Sequence, residues 1–114
     1  MTLLDRSTDL HEVCPLDRLT PDRGVAALVG GASVALFLLS TGDLVAIDNV
    51  DPISGANVLS RGIVGDAGGV TTVASPLYKQ RFDLRSGTCL DADACVRVHE
   101  VVVVDGIVHV ALRT

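Results

Sequence analysis

Apolar residues along this chain come in short runs separated by polar positions, and no stretch keeps a helical period for long. Glycine, proline and aspartate interrupt the runs at intervals typical of turns between strands. From His11 onward the pattern therefore predicts an all-β protein. We expect residues 1–8 to form a loose tail and residues 9–114 to form one domain, without an internal repeat or a linker.

Three pairs of apolar runs predict β-hairpins, each built around a turn that contains glycine. Gly30-Gly31 and Asp105-Gly106 are dipeptides that suit the primed two-residue turns of hairpins, whereas the middle pair is joined by four residues, Asp66 to Gly69. Two further strands are expected at residues 11–16 and 44–48. The predicted hairpins comprise residues 25–29 with 33–39, 62–65 with 70–74, and 96–104 with 107–113.

In the last hairpin, the turn at Asp105-Gly106 sets which residues lie opposite each other. One face of this hairpin is more apolar than the other, so we expect it to point toward the core, with His99 at its margin. The opposite face would carry Val102 with His109 and Glu100 with Ala111. The pairs on the apolar face are Val103 with Val108, Val101 with Val110, and His99 with Leu112.

The length of 114 residues fits one domain. The hydrophobic fraction of 48% is sufficient for a core, but only Phe37, Tyr78 and Phe82 are aromatic. The core must therefore consist mainly of Val, Leu, Ile and Ala, and the β-branched residues among them favour strands.

The formal net charge of −5 argues against a nucleic-acid partner, which requires a basic face. With Lys79 as the one lysine, the chain has no polybasic patch for a membrane surface. The apolar run 25–39 is interrupted by Gly30-Gly31 and is too short to span a bilayer, which takes about 20 residues. The N-terminus does not match a secretory signal, so we expect a cytoplasmic protein.

Three cysteines are an odd number and argue against a secreted disulfide framework. We expect Cys14 to be a small buried hydrophobic residue. Cys89 and Cys95 are close enough in sequence for a disulfide or a metal site, but their spacing is not that of a zinc knuckle. Ordinary reduced thiols are the expectation for a cytosolic chain.

Two segments carry the most information about function: Asp51-Pro52-Ile53-Ser54-Gly55-Ala56, and the segment from Ser75-Pro76 to Phe82-Asp83. They resemble the two cluster-binding loops of Rieske iron–sulfur domains, which usually read Cys-Pro-His-x-Gly-Ala and Cys-Pro-x-His-x-x-x-Phe-Asp. This resemblance implies a Rieske-like fold of stacked antiparallel sheets with two loops at one tip.

The four ligand positions of those loops are changed in this chain. A Rieske centre needs two cysteine thiolates on one iron and two imidazoles on the other. Isoleucine has no lone pair, and hard oxygen donors are poor substitutes for thiolate. We therefore expect no two-iron, two-sulfur cluster and no metal on this chain. The residues at the four former ligand positions are Asp51, Ile53, Ser75 and Tyr78.

Over about residues 10–112 the chain resembles more narrowly the small subunits of assimilatory NAD(P)H-dependent nitrite reductase. The resemblance implies a partner, the large subunit, which carries FAD, siroheme and a 4Fe-4S cluster and reduces nitrite to ammonium. The small subunit would contribute no redox centre and no catalytic residue. The resembling strings are Val13-Cys14-Pro15-Leu16, Asp51 to Asp66, Val73 to Leu84 and Gly87-Thr88-Cys89-Leu90.

Loops on a rigid β scaffold are common recognition sites, and Tyr and Arg are frequent at interface hot spots. We therefore predict partner-binding roles for Arg61, Tyr78, Lys79, Gln80 and Arg81. Two interpretations are open for Tyr78, because its ring could instead fill the space left by the cluster. A further hypothesis is that the oxygens of Asp51, Ser75 and Tyr78 hydrogen-bond where the iron would otherwise join the loops.

Other functional classes fit less well. The histidines His11, His99 and His109 are scattered among strand residues and form no recognisable triad, so the chain alone is not expected to be a catalyst. An electron-carrying ferredoxin would need the missing ligands. A free-standing interaction module with another partner is the remaining alternative.

Overall fold

The computed structural model describes residues 10–113, which form nine β-strands and two 3₁₀ helices. The expected tail, residues 1–8, lies outside this range. The prediction of an all-β fold is confirmed, and none of the described elements is a helix that could cross a membrane. The strands are β1 (Leu10–Pro15), β2 (Val25–Val29), β3 (Ala32–Leu38), β4 (Leu44–Asp48), β5 (Ile63–Ala67), β6 (Val70–Ala74), β7 (Arg81–Asp83), β8 (Val98–Val104) and β9 (Ile107–Ala111), and the 3₁₀ helices are Leu16–Arg18 and Leu59–Arg61.

The strands form two antiparallel sheets. The larger has the order β1-β9-β8-β4-β3-β2, and the smaller has the order β5-β6-β7. Strands β1 and β2, at opposite edges of the larger sheet, contact each other, so this sheet curls almost into a barrel. The smaller sheet packs against β3 and β4 from outside. The stacked antiparallel sheets expected of a Rieske-like fold are thus present.

Strand β3 is buried on both faces from residue 34 to residue 37, which explains the unbroken apolar run that begins at Val34. Phe37 and its neighbours on one face belong to a first core between the two sheets, together with Val73 and Phe82 of the smaller sheet. Leu36 points the opposite way, into a second core inside the curled sheet. The second core also contains Leu19, Val29, Val34, Ala46, Val108 and Val110.

The first predicted hairpin is confirmed, and the second differs in its turn. Gly30 and Gly31 join β2 to β3 with φ of +54° and +85°, as a primed turn requires. In the second hairpin, β5 runs on to Ala67, and the turn is only Gly68-Gly69, with φ of +61° and +92°. The four-residue turn was wrong because Asp66 and Ala67 still pair with β6.

In the third hairpin the register is confirmed for Val101, Val103 and their partners on β9. The expected core face was partly wrong: Val108 and Val110 are buried, but Val103 is 40% exposed because it lies near the end of the hairpin. Pairing with β9 is described only up to Glu100 opposite Ala111.

The expectation that His99 lies at the margin of the core was wrong. It is buried where β8 runs between β4 and β9, and it lies opposite Ala46 of β4. Its Nδ1 accepts a hydrogen bond from the N–H of Arg113 at 2.9 Å, and its Nε2 lies 2.9 Å from Oδ1 of Asp48. Since Nδ1 is an acceptor, the proton is on Nε2, which donates to the carboxylate of Asp48.

The three cysteines are free thiols. Thr88 pairs with Cys95, so the adjacent Cys89 points to the opposite face. Accordingly Cys89 is buried in the first core and Cys95 is exposed. Cys14 is only half-buried rather than fully buried, and burial raises the pKa of its thiol despite the opposing effect of Arg18.

Candidate partner-binding site at the loop tip

Three loops of this protein share one hydrogen-bonding pattern over six residues: loop 1 (residues 51–56), loop 2 (residues 75–80) and loop 3 (residues 83–88). In each loop the first N–H donates to the sixth carbonyl, with distances of 2.8, 2.9 and 2.9 Å. The fifth N–H donates to the first carbonyl, with distances of 2.7, 2.9 and 2.8 Å. Loop 3, which the sequence did not group with loops 1 and 2, therefore has the same backbone structure as they do.

The first residue of each loop also accepts a hydrogen bond through its own side chain. Asp51 Oδ1 accepts from the N–H of Ile53 at 2.8 Å, and Asp83 Oδ1 accepts from the N–H of Arg85 at 2.8 Å. In loop 2, Ser75 Oγ accepts from the N–H of Leu77 at 3.3 Å. Such local bonds explain why Asp or Ser begins each loop.

The fifth residue of each loop has a left-handed backbone conformation. This residue is Gly55 in loop 1 and Gly87 in loop 3, with φ of +79° and +82°. In loop 2 it is Lys79, with φ of +65°. Glycine adopts this conformation without steric cost, whereas a lysine is strained there.

Loops 1 and 2 are joined by their first residues. Ser75 Oγ donates a hydrogen bond of 2.6 Å to Asp51 Oδ2, and both side chains are completely buried. Burial alone would raise the pKa of the Asp51 carboxyl, but hydrogen bonds from Ser75, Ile53 and Ser54 outweigh it and hold the pKa below its ordinary value. The hypothesis that the side-chain oxygens of Asp51 and Ser75 hydrogen-bond to each other, forming an oxygen bridge between the loops, is confirmed.

Tyr78 takes no part in this bridge, so both structural hypotheses for it were wrong. Its side chain is 60% exposed, and its hydroxyl makes no hydrogen bond with residues 10–113. Ser75 and Asp51 are joined directly by their short hydrogen bond, without the Tyr78 ring between them. The exposed ring instead faces solvent at the tip.

The donor set at the former ligand positions does not fit a Rieske cluster. The oxygens of Asp51 and Ser75 are already used in hydrogen bonds, and Ile53, which is 39% exposed, offers no lone pair. Within residues 10–113, no group of three or more His, Cys, Asp or Glu residues is placed so that it could hold a metal ion. We therefore derive no redox step on this chain.

Arg81, at the exit of loop 2, is bound to Asp91. Its Nε and Nη2 donate to Oδ2 and Oδ1 of Asp91 at 3.0 and 2.7 Å, and its backbone N–H donates to Oδ2 at 2.9 Å. These bonds lower the pKa of Asp91 to about 2. Arg81 thereby holds the exposed segment Leu90-Asp91 beside loop 2. Neither residue of that segment was a sequence candidate, because nothing in its sequence indicates that it lies near loop 2.

The other candidates are in two places. Lys79 is exposed and forms no ion pair within the described range, while Gln80 is half-buried and its Oε1 has no hydrogen-bond donor there. Arg61 is not on loop 2 but at the end of the second 3₁₀ helix, before β5. We define the loop tip as Ile53, Leu77, Tyr78, Lys79 and Leu90, all of which are exposed.

Comparison with known proteins places this geometry in a family. Residues 9–111 match the model of the Rieske-like [2Fe-2S] domain. The chain is 44% identical over 101 residues to the nitrite reductase (NADH) small subunit of Salmonella typhimurium, covering 87% of this chain and 94% of that one. This chain belongs to the nitrite reductase small-subunit family.

Two further relatives are similar to this chain, one over nearly its whole length and one over a short part of a much longer polypeptide. A solved structure described as an NADH-dependent nitrite reductase small subunit from Mycobacterium tuberculosis superposes with a TM-score of 0.88 at 46% identity, covering 92% of this chain and 96% of that chain. The nitrite reductase [NAD(P)H] large subunit of Klebsiella oxytoca is 48% identical over 100 residues. That match covers 86% of this chain but only 10% of the large subunit, so this chain spans about a tenth of that relative's length.

Proposed function

We propose that this chain is the non-redox small subunit of an NAD(P)H nitrite reductase and that it acts by binding the large subunit. The observation that carries the proposal is the buried hydrogen bond between Ser75 and Asp51. It keeps two Rieske-type loops together with side chains that do not fit an iron–sulfur cluster. A shape maintained in this way supports a binding role rather than electron transfer.

The chemistry is assigned to the partner. FAD, siroheme and a 4Fe-4S cluster would be carried by the large subunit, which reduces nitrite to ammonium with NADH or NADPH. The Klebsiella relative supports direct association, since a stretch 48% identical to this chain is part of a large-subunit polypeptide there. The three free thiols are compatible with a reducing compartment, and we place the complex in the cytoplasm.

The loop tip is the proposed docking surface. It exposes the apolar side chains of Ile53, Leu77, Tyr78 and Leu90, although such residues are usually buried. The backbone hydrogen bonds of loops 1 and 2 and the Arg81–Asp91 pair hold these side chains in place. A preorganised apolar patch with a charged rim has the composition of a binding hot spot. Lys79 supplies part of that rim, and Gln80 and Arg81 support it.

The main experiment measures nitrite-dependent oxidation of NADH and of NADPH by the large subunit from the same organism, with and without this chain. Co-purification of the two chains and iron and sulfide analysis of this chain accompany it. We expect the chains to co-purify and nitrite-dependent activity to require a chain free of iron. If activity is unchanged by the chain and the two do not co-purify, the alternative of a free-standing interaction module replaces our proposal.

A matched pair of leucine variants tests the docking surface. Leu77 lies on the loop tip, whereas Leu28 is exposed on β2, so both can be truncated without opening the core. We expect Leu77→Ala to weaken binding to the large subunit about tenfold, as truncation of an interface anchor commonly does. Leu28→Ala should bind like the unchanged protein. Equal affinities of the two variants would remove the loop tip from the proposal.

A further inference from the structure

A surface cleft lies apart from the loop tip, where the two sheets meet. Its volume is about 400 Å³, and it has two walls. Residues 22–24, before β2, form one wall, and residues 60–64, from the end of the second 3₁₀ helix into β5, form the other. Arg23 and Arg61 both line it, and we call it the arginine cleft.

The floor of the arginine cleft is held in place by two glycines. A Cβ on Gly24 would come within 2.3 Å of the carbonyl oxygen of Ser60, which lies on the opposite wall. A Cβ on Gly62 would come within 2.4 Å of the carbonyl oxygen of Ala74, just before loop 2. Ser60 is further fixed by the side chain of Asn49, whose Oδ1 accepts from its N–H at 2.7 Å. The walls are therefore in direct backbone contact and form a preorganised cleft.

The arginines of this cleft have no ion-pair partner within the described part of the chain. Arg23 and Arg61 are exposed, and neither forms an ion pair with residues 10–113. By contrast, the arginines at positions 81, 85 and 97 are each bound to an aspartate. The acidic residue on the cleft, Asp22, accepts a hydrogen bond through Oδ1 from the N–H of Ser40 at 3.0 Å. With respect to residues 10–113, two guanidinium groups thus remain available, in a chain whose net charge is −5.

We infer that the arginine cleft receives a carboxylate side chain from an acidic segment of the large subunit. The inference rests on the proposed function and adds a second contact to the loop tip. Guanidinium groups bind carboxylates through paired, charge-assisted hydrogen bonds. Ile63, 76% exposed on the same cleft, would be covered by the backbone or an apolar residue of that segment. This apolar lip favours a protein segment over a free anion.

The cleft would also set the orientation of docking. This chain is acidic overall and would repel an acidic partner surface, except where positive charge is concentrated. Complementary charge at one place on a surface fixes how the two proteins are aligned in the complex and raises their association rate. Because Gly62 contacts Ala74 at the entrance to loop 2, the cleft and loop 2 are connected through backbone. The inference requires one partner surface to contact both the cleft and the loop tip.

The test compares an Arg23→Gln/Arg61→Gln double variant with Arg18→Gln. Arg18 is an exposed residue of the first 3₁₀ helix that does not line the cleft, so Arg18→Gln controls for loss of positive charge. Affinity for the purified large subunit is measured by calorimetry at several salt concentrations. We expect the double variant to bind at least about tenfold more weakly with a smaller salt dependence, and Arg18→Gln to bind as before. Circular dichroism verifies that each variant is folded.

The outcomes separate this inference from the proposed function. If the unchanged chain binds the large subunit and the double variant binds equally well, the inference fails while the proposed function stands. If the unchanged chain does not bind, the proposed function fails and the inference with it. NMR titration with nitrite or phosphate alone distinguishes a small-anion site: saturable shifts of the Gly24 and Gly62 amides would overturn the inference. Arg61→Lys, which keeps the charge but loses the planar fork, should weaken binding less than Arg61→Glu.

Discussion

Ser75 Oγ and Asp51 Oδ2 lie 2.6 Å apart, although their residues are 24 positions apart in sequence. Each residue begins one of two loops with the same six-residue backbone pattern. Within residues 10–113, their hydrogen bond is the one side-chain hydrogen bond between loops 1 and 2. The stability of the tip therefore depends on this polar contact.

Replacement of Ser75 by alanine should show the strength of the contact. Ser75→Ala removes the donor from a buried carboxylate, so we expect the free energy of unfolding to fall by about 1–3 kcal/mol. Guanidinium denaturation measures this change. Ser40→Ala, an exposed serine whose side chain makes no hydrogen bond within residues 10–113, should stay within about 0.5 kcal/mol of the unchanged protein. Equal effects of the two variants would contradict the role of the bridge.

The bridge should also make stability depend on pH. The pKa of Asp51 is lower in the folded protein than its ordinary value of about 3.9. Its carboxylate therefore stabilises the fold above about pH 4, and this contribution is lost as the pH falls through the folded-state pKa. Asp51→Asn should be less stable than the unchanged protein at pH 7, and the difference should shrink below about pH 4. Urea unfolding from pH 3 to pH 7 measures it.

Asp93→Asn is the matched control for this pH experiment. Asp93 is exposed and makes no side-chain hydrogen bond with another described residue. Replacing it should leave the dependence of the free energy of unfolding on pH unchanged. If the difference in this free energy between Asp51→Asn and the unchanged protein were the same at every pH, our explanation would be contradicted.

Gly62 and Gly65 offer a steric comparison only three residues apart. Gly62 has an extended backbone with φ of −73°, so alanine is conformationally allowed there, but its Cβ would lie 2.4 Å from the carbonyl oxygen of Ala74. At Gly65 the nearest neighbour of a Cβ, Thr72 Oγ1, would be 3.9 Å away. We expect Gly62→Ala to cost at least about 2 kcal/mol and Gly65→Ala less than about 1 kcal/mol. Thermal or chemical unfolding measures the loss of stability in each variant. Similar losses would contradict the steric contact assigned to Gly62.

We expect Lys79 to lower the stability of the fold and to strengthen binding to the large subunit. A non-glycine residue in the left-handed conformation lowers the free energy of unfolding by about 1–2 kcal/mol, and glycine avoids this strain. Glycine also gives the unfolded chain more conformational freedom, which offsets about 0.4–1 kcal/mol of that gain. Lys79→Gly should therefore raise the free energy of unfolding by about 0.5–1 kcal/mol, while weakening binding to the large subunit. Lys79→Ala keeps the strained backbone and should lose binding without gaining stability. If Lys79→Gly binds normally, the ammonium group has no role at the interface.

Tyr78→Phe separates the ring of Tyr78 from its hydroxyl. Because the hydroxyl has no hydrogen-bond partner among residues 10–113, we expect the free energy of unfolding to change by less than about 0.5 kcal/mol. A larger loss, measured by chemical denaturation, would mean that the hydroxyl makes a stabilising contact after all.

Structural features that depend on local interactions were mostly predicted correctly from the sequence, whereas several features that depend on contacts between distant residues were missed. The hairpin at Gly30-Gly31 was correct because the turn residues and the flanking apolar runs act locally. Strand β7 was missed because a three-residue strand with one apolar residue, Phe82, has no periodicity to detect. The burial of His99 was also missed, since it depends on β4 and Arg113, which are distant in sequence.

By itself, the sequence determined the all-β class, the two loop motifs and the lack of thiolate and imidazole donors in them. These properties depend on residue type and short spacing, which the linear chain displays directly. Only the tertiary structure decided that Asp51 meets Ser75, that Tyr78 is exposed and that Arg23 and Arg61 share one cleft. Each of these depends on how the two sheets pack together, and packing joins residues whose separation along the chain carries no local signal.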